Sequence, residues 1–268
     1  MKCNHCGAEW KTGNSTSKLD SCPFCGERIE FDNFLEKRAE EGHVHAQLEL
    51  ASKYDTPYKT GDYSKAAYWY NKAALQGDNV AQYKLGALYN NKNWSGRDLS
   101  KSKYWYTQAA NNGNKDAQFE LALLYDQNDA SDNDYSQAEY WYYQAANNGH
   151  VAAQYHLGVL YGFQNWSGQD YTRAEYWLLR NVQAGRNLNR YFPASLYFLG
   201  CLYRKWQDYT EAIKWFLRAT EEGGAFSKES KKELQNMAIE GHVGAVIALD
   251  QIKNRGFSLS RAWNDLFC

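Results

Sequence analysis

The chain has 268 residues, of which 44% are hydrophobic and 16% aromatic, so it can bury a substantial core and is not expected to be disordered. Its 30 lysines and arginines nearly balance its 31 aspartates and glutamates, which removes bulk charge as a reason to bind nucleic acid or an anionic membrane. The amino terminus has no apolar run typical of a signal peptide, and no segment approaches the roughly 18 apolar residues needed to span a bilayer. We therefore expect a cytoplasmic protein.

Two Cys-x-x-Cys pairs near the amino terminus predict one metal site. Cys3 and Cys6 form the first pair, and Cys22 and Cys25 form the second. Two residues between thiolates let one tight turn offer both sulfurs to one ion, and two such turns complete a tetrahedral zinc site. Because protein ligands fill all four positions, the zinc is expected to be structural and not catalytic.

The sequence CNHCG…CPFCG resembles a zinc ribbon, and the resemblance is confined to residues 1–31. It implies a small domain that holds one Zn²⁺ and that binds nucleic acid, binds protein or stabilises an end of the chain. This segment has four basic and four acidic side chains, so before the thiolates and zinc are counted its charge is balanced. Attraction of phosphate groups by this domain is therefore expected to be weak.

The chain then repeats with a period close to 36 residues. Two segments of each unit, such as YSKAAYWYNKAALQG and GDNVAQYKLGALY, place apolar residues at helical spacing, which predicts a pair of helices. One pair cannot bury both of its faces, so successive pairs are expected to stack into a solenoid. Glycines after the second helices are expected to adopt the left-handed conformation of a helix cap. The recurring tryptophans, predicted to lie in the core, are Trp69, Trp105, Trp141, Trp177 and Trp215.

The pattern A-x-Y-W-Y-x-x-A-A-x-x-G-x-x-x-A-Q-x-x-L-G-x-L-Y resembles the Sel1-like repeat, a relative of the tetratricopeptide repeat. Four units match closely and a fifth matches loosely. The resemblance implies an all-α protein with a right-handed α-solenoid and an adaptor role. We divide the chain into a zinc ribbon at 1–31, a solenoid of about five repeats at 32–223 and capping helices at 224–268.

In solenoids of this kind the first helix of each pair lines the concave face, and the resemblance places one residue of each first helix there. We expect these residues to form a groove for a peptide or helix of a partner protein, although the same rings also suit core packing. A second position of each first helix is expected to form a mostly polar edge. The groove positions are Leu48, Tyr83, Phe119, Tyr155 and Tyr197, and the edge positions are Asp55, Asn90, Asp126, Gly162 and Arg204.

The tetrapeptide NWSG occurs at residues 93–96 and again at 165–168, a separation of two repeat periods. Trp94 and Trp166 are therefore predicted to occupy the same loop in alternate repeats. Each indole either covers the end of its own helix pair or anchors a partner at the loop edge.

Motifs for catalysis are absent from the sequence. It contains no G-x-S-x-G motif and no phosphate-binding glycine loop, and Cys201, at a groove-facing position, is the one candidate nucleophile. We therefore predict a non-enzymatic scaffold or adaptor that has a protein partner and no small-molecule substrate. The alternatives are an immunity or inhibitor protein that occludes one toxin or enzyme, and a nucleic-acid-binding protein that acts through the zinc ribbon.

The predicted metal site can be tested by chelation. A strong chelator is expected to release one zinc ion per chain, because four thiolates make one closed site, and to leave the helical circular dichroism intact. A chromogenic zinc indicator would measure the release, and a Cys22→Ser variant should retain less zinc. Loss of helix throughout the chain would contradict the division between ribbon and solenoid.

Overall fold

A computed structural model describes residues 31–56, 62–127, 131–187 and 189–254. All the regular elements within these residues are α-helices. The four cysteines predicted to bind zinc lie outside the described residues. None of the described helices is long and apolar enough to cross a membrane.

The first of two compact units extends to Asn114. One helix, α1, precedes two helix pairs, and each helix packs against the next one in the chain. Alanines and leucines together with Trp69 and Tyr70 form the buried core. The helices are α1 (Phe31–Glu40), α2 (Val44–Tyr54), α3 (Tyr63–Leu75), α4 (Asn79–Asn90) and α5 (Leu99–Asn111).

The second compact unit begins at Lys115 and contains three helix pairs. Beyond them, α12 packs against α10 and α11, and residues 243–254 are also helical. Phe216, Leu234 and Met237 are buried where α11 meets α12. The helices are α6 (Lys115–Tyr125), α7 (Asp132–Asn147), α8 (Val151–Phe163), α9 (Tyr171–Gln183), α10 (Phe192–Lys205), α11 (Tyr209–Glu222) and α12 (Ala225–Ile239).

Aspartate side chains begin second helices and glycines end them, and the glycine caps are those that the sequence predicts. Asp98 and Asp170 each accept hydrogen bonds from two backbone N–H groups at the start of a second helix, which satisfies donors that have no partner within the helix. Four glycines that end second helices have positive φ angles, as a left-handed cap requires. They are Gly77 (87°), Gly113 (80°), Gly149 (79°) and Gly223 (75°).

The recurring tryptophans are buried in four of the five pairs, which confirms their predicted place in the core. Each of these four is at most 8% exposed, whereas Trp215 in the fifth pair is half-buried. The buried four are Trp69, Trp105, Trp141 and Trp177.

In the first two pairs, a buried glutamine on the first helix joins the pair to the helix before it. Nε2 of Gln47 donates to the carbonyl of Ala39 at 2.8 Å, and Nε2 of Gln82 donates to the carbonyl of Ala74 at 3.2 Å. Both carbonyls belong to the last turn of a helix, where backbone acceptors have no partner within the helix. The glutamine therefore satisfies a helix end and fixes the packing of successive helices.

The side-chain oxygen of the glutamine at this position accepts a hydrogen bond from the side-chain amide of the residue that caps the second helix of the same pair. In the fourth pair the equivalent residue is Ala184, and Oε1 of Gln154 is buried without a hydrogen-bond partner among the described residues. An unsatisfied buried acceptor costs about 1–3 kcal/mol. The three complete links are Gln76 to Gln47 at 2.9 Å, Asn112 to Gln82 at 3.0 Å and Asn148 to Gln118 at 3.0 Å.

Restoring this link should stabilise the protein. Ala184→Asn is expected to raise the free energy of unfolding by about 1 kcal/mol, because the new amide supplies the missing donor. The local backbone suits it, since Gly185 after Ala184 has a φ of 83° and Gly149 after Asn148 has a φ of 79°. Urea unfolding followed by circular dichroism would measure the change.

The matched control is Asn148→Ala, which removes the donor to Gln118 and should lower the free energy of unfolding by a similar amount. An Ala184→Asn variant that is no more stable than wild type would show that the amide does not reach Gln154.

Candidate functional site

The two predicted groove residues of the first unit are half-buried and contribute to packing. Leu48 packs against the core of that unit. The ring centroid of Tyr83 lies 5.9 Å from that of Tyr106, the buried tyrosine of α5. Their role in binding a partner stays a prediction.

In the second unit the predicted groove residues belong to a larger group of aromatic rings. Phe119 is buried and stacks on His150, with 4.3 Å between ring centroids. The half-buried ring of Tyr155 stacks on Tyr191 at 4.6 Å. The third residue, Tyr197, is also half-buried.

One phenylalanine, Phe198 of α10, connects the half-buried rings on the first-helix side of this unit. Its ring centroid lies 5.9 Å from Tyr155, 4.7 Å from Phe163, 5.4 Å from Tyr197 and 5.9 Å from Phe226. We call this surface the aromatic patch, and its residues are Tyr155, Phe163, Tyr191, Tyr197, Phe198 and Phe226.

Sequence reasoning identified two of these six residues, Tyr155 and Tyr197. Phe198 was detectable, because it aligns with His156 of the preceding repeat and changes that position from a titratable to an apolar residue. The other patch residues lie outside the aligned groove positions, so the repeat pattern gave no signal for them.

Two cations stand on the rings of the aromatic patch. The guanidinium of Arg190 lies 4.8 Å from the centroid of Tyr191, and Nζ of Lys205 lies 5.0 Å from the centroid of Phe163. Both side chains are exposed. In the described part of the chain their polar contacts are to hydroxyl and carbonyl oxygens and not to carboxylates, so the patch has uncompensated positive charge.

The predicted polar edge is largely engaged in internal hydrogen bonds. The hydroxyl of Tyr70 donates to Asp55 at 3.3 Å, and the hydroxyl of Tyr142 donates to Asp126 at 2.9 Å. Burial raises the pKa of Asp126, while the hydrogen bond from Tyr142 acts in the opposite direction. These aspartates serve as acceptors for tyrosines that lie in the core.

The remaining edge residues have different surroundings. Asn90 is the half-buried last residue of α4. Arg204 forms ion pairs with Glu233 and, at 2.6 Å, with Glu240, which connects α10 to both α12 and the residue that caps it. Whether Asn90, Asp126 and Arg204 also contact a partner stays a prediction.

The two NWSG tryptophans pack within the protein. Trp166 is buried, and its Nε1 donates to the carbonyl of Leu160 at 3.1 Å. Trp94 is half-buried against Tyr89, with 5.3 Å between ring centroids. Each indole covers the glycine of its own tetrapeptide: a Cβ on Gly96 would lie 2.5 Å from the ring of Trp94, and one on Gly168 would also overlap the ring of Trp166. These contacts favour the packing alternative, and a role as partner anchors stays a prediction.

The environment of Cys201 does not favour a nucleophile. Burial raises the pKa of its thiol to about 11, so the thiol stays protonated at neutral pH. The described residues also contain no group of three histidine, cysteine or acidic side chains placed to hold a metal ion.

Beside the aromatic patch, His156 lies among rings and is held neutral. Its imidazole stacks on Tyr142 at 5.5 Å, and its Nε2 lies 3.4 Å from the hydroxyl of Tyr191. Burial, followed by the positive charge of Arg190, lowers the pKa of His156 to about 4. Burial also lowers the pKa of His150, whose Nδ1 accepts a backbone hydrogen bond and must be unprotonated to do so.

Comparison with known proteins identifies the repeat. A family model described as the Sel1 repeat matches residues 44–78, 79–114, 115–150, 151–180 and 193–224. A solved structure of a protective antigen from uropathogenic Escherichia coli, which displays an SLR fold, is similar with 25% identity and a TM-score of 0.61 over 81% of this chain. This chain spans only 47% of that antigen. A Sel1 repeat protein from Oxalobacter formigenes is similar with 22% identity and a TM-score of 0.61, over 76% of this chain and 84% of its own. No curated protein matches the chain.

The pH dependence of unfolding tests the environment of His156. Between pH 6.5 and about 4 the unfolded chain binds a proton at this residue and the folded chain does not, so stability falls as the pH is lowered through this window. The effect amounts to at most ~3 kcal/mol. His156→Phe, which introduces the residue of the next repeat, should remove this share of the pH dependence in urea titrations.

Tyr191→Phe is the matched control, because it removes a hydroxyl beside His156 and retains the imidazole. It should keep the wild-type pH profile. An unchanged profile in His156→Phe would mean that the pKa of this imidazole is the same in the folded and unfolded states.

Proposed function

Because the chain belongs to the Sel1 repeat family, whose members generally mediate protein–protein interactions, we propose that it binds a partner protein through the aromatic patch. The observation that supports this proposal is a set of connected, half-buried rings beside two exposed cations, Arg190 and Lys205. The proposed role is non-enzymatic, and this agrees with the usual role of Sel1 repeat proteins.

The fixed positions of the rings favour binding. Contacts between Phe198 and its neighbours already hold the aromatic side chains in place, so a partner would immobilise few of them. Immobilising a free side chain costs about 0.5–1.5 kcal/mol, and a preorganised surface avoids most of this cost. Tyrosine, tryptophan and arginine are also the residues most enriched among binding hot spots.

The chemistry of the patch indicates the kind of segment that it binds. The rings provide an apolar surface for aromatic or aliphatic side chains. Arg190 and Lys205 favour acidic residues beside them, because their charges have no carboxylate partner in the described residues. We therefore propose an extended or helical segment with apolar residues next to aspartate or glutamate.

Two further features of the sequence belong to this proposal and stay predictions. We expect the cysteines outside the described residues to hold one structural zinc ion. We also expect the protein to act in the cytoplasm.

The proposed surface can be tested by charge reversal. In the double variant Arg190→Glu, Lys205→Glu the affinity for acidic, aromatic-containing peptides selected against the wild-type protein should fall at least about tenfold, because attraction becomes repulsion. Isothermal titration calorimetry would measure the affinity. The wild-type affinity should also fall with added salt, since the exposed charges are screened.

A matched control reverses two exposed charges elsewhere. Lys92→Glu, Arg97→Glu changes the net charge equally but lies in the loop after α4 of the first unit. This control should bind like wild type. Equal loss of affinity in both double variants would show that net charge, and not the aromatic patch, determines binding. Tight stoichiometric binding to a single toxin or enzyme would instead identify an inhibitor and not a general adaptor.

A further inference from the structure

A concave surface separate from the aromatic patch lies on the second helices of the pairs in the second unit. A cleft of about 650 Å³ lies between α7 and α9, which are the second helices of successive pairs. This volume is within the range of small-ligand pockets, roughly 300–1,000 Å³. Its walls are formed largely by Tyr140, Tyr143 and Asn147 of α7 and by Tyr176 and Trp177 of α9. The aromatic patch contains none of these residues.

The tyrosines of the cleft are exposed but held in fixed orientations. Tyr140 is 52% exposed and Tyr176 is 56% exposed. Each ring packs edge-on against the neighbouring core tryptophan, with 4.8 Å between the centroids of Tyr140 and Trp141 and 5.0 Å between those of Tyr176 and Trp177. Tyr143 packs edge-on against Trp177 at 5.8 Å. The rings therefore form stable ridges on both sides of the cleft.

The charged groups of the cleft compensate each other. Glu139 accepts a hydrogen bond from the hydroxyl of Tyr161 and lies 3.5 Å from Nη1 of Arg173. Nε of the same arginine lies 3.4 Å from Asp170. The glutamate and arginine that line the cleft are therefore paired with each other, so neither of them requires a charged ligand.

The remaining polar groups of the cleft can donate hydrogen bonds. The hydroxyl of Tyr176 accepts from Nη1 of Arg180 at 3.5 Å, so its own proton is available to donate. The hydroxyls of Tyr140 and Tyr143 and the side-chain amide of Asn147 also line the cleft. The cleft thus combines apolar ring faces with hydrogen-bond donors, and the guanidinium of Arg180 beside it, 5.4 Å from the centroid of Trp177, supplies further donors.

We propose that this cleft binds a proline-rich segment of another protein in the polyproline II conformation. Such a segment has apolar pyrrolidine rings and carbonyl acceptors that make no internal hydrogen bonds, and its prolines have no N–H donor. Ring faces and hydroxyl or amide donors match this chemistry, and aromatic-lined grooves are the usual receptors for polyproline II segments. The segment is stiff before binding, so it loses little conformational entropy.

Exposed tyrosines occur at equivalent positions in both units, but the complete lining of the cleft occurs only in the second. Tyr68 and Tyr104 occupy the equivalent positions in the first unit, with exposed fractions of 52% and 56%. At the positions of Tyr143 and Asn147, however, α3 has Asn71 and Leu75. The first unit therefore provides a matched comparison that has the exposed tyrosines but lacks the equivalents of Tyr143 and Asn147.

The experiment measures binding of a fluorescent decaproline peptide to the full chain by anisotropy, with a glycine–serine peptide of equal length as the reference. We expect at least tenfold tighter binding of decaproline. Tyr140→Ser, Tyr176→Ser should lose at least tenfold in affinity, whereas Tyr68→Ser, Tyr104→Ser should bind like wild type. Equal binding of the two peptides, or equal loss in the two double variants, would overturn the proposal.

A measurement on the wild-type protein keeps the test independent of how the variants fold. Titration with decaproline should shift the indole N–H resonance of Trp177 in nitrogen–proton correlation spectra, and the glycine–serine peptide should not. The absence of this shift at saturating decaproline would also overturn the proposal. Arg190→Glu, Lys205→Glu should bind decaproline like wild type, which separates the cleft from the aromatic patch.

Discussion

In the second, fourth and fifth pairs, close contact between one large side chain of the second helix and a glycine of the first helix limits how far the two helices can approach each other or shift. A Cβ on Gly86 would lie 2.7 Å from the ring of Tyr106, and a Cβ on Gly200 would lie 2.6 Å from the ring of Phe216. Such distances leave no room for a larger residue without a shift of the helices.

The presence or absence of a hydroxyl on that large side chain accompanies a change in what the residue at the carboxyl end of the first helix binds. In the third pair the hydroxyl of Tyr142 needs an acceptor, and Asp126 provides it. In the fifth pair Phe216 has no hydroxyl, and the equivalent of Asp126 is Arg204, which pairs with acidic residues of α12 and its cap. Docking of α12 places Phe226 beside Phe198. The aromatic patch thus depends on how the solenoid ends.

The sequence period predicts the helix pairs, their glycine caps and the buried Trp141, because each of these features recurs within one repeat. An alignment of repeats shows which residues are equivalent, but not which atoms they meet. Asp126 therefore aligns with a polar edge although it binds a core tyrosine. Tyr191 lies in the longer connection between the fourth and fifth pairs and Phe226 beyond the repeats, so neither has an equivalent from which to infer its neighbours.

The two surfaces of the second unit differ in chemistry, and this difference has a consequence for affinity. The aromatic patch has uncompensated cations, whereas the charged side chains that line the cleft are paired and its rings are accompanied by hydrogen-bond donors. Two segments of one partner that occupy both surfaces would bind with an effective concentration set by the residues between them, of millimolar order for a short flexible linker. Two weak sites would then act as a strong one, and only for partners with both segments at a suitable separation. Specificity would come from the combination, since neither an acidic aromatic segment nor a proline-rich segment is rare alone.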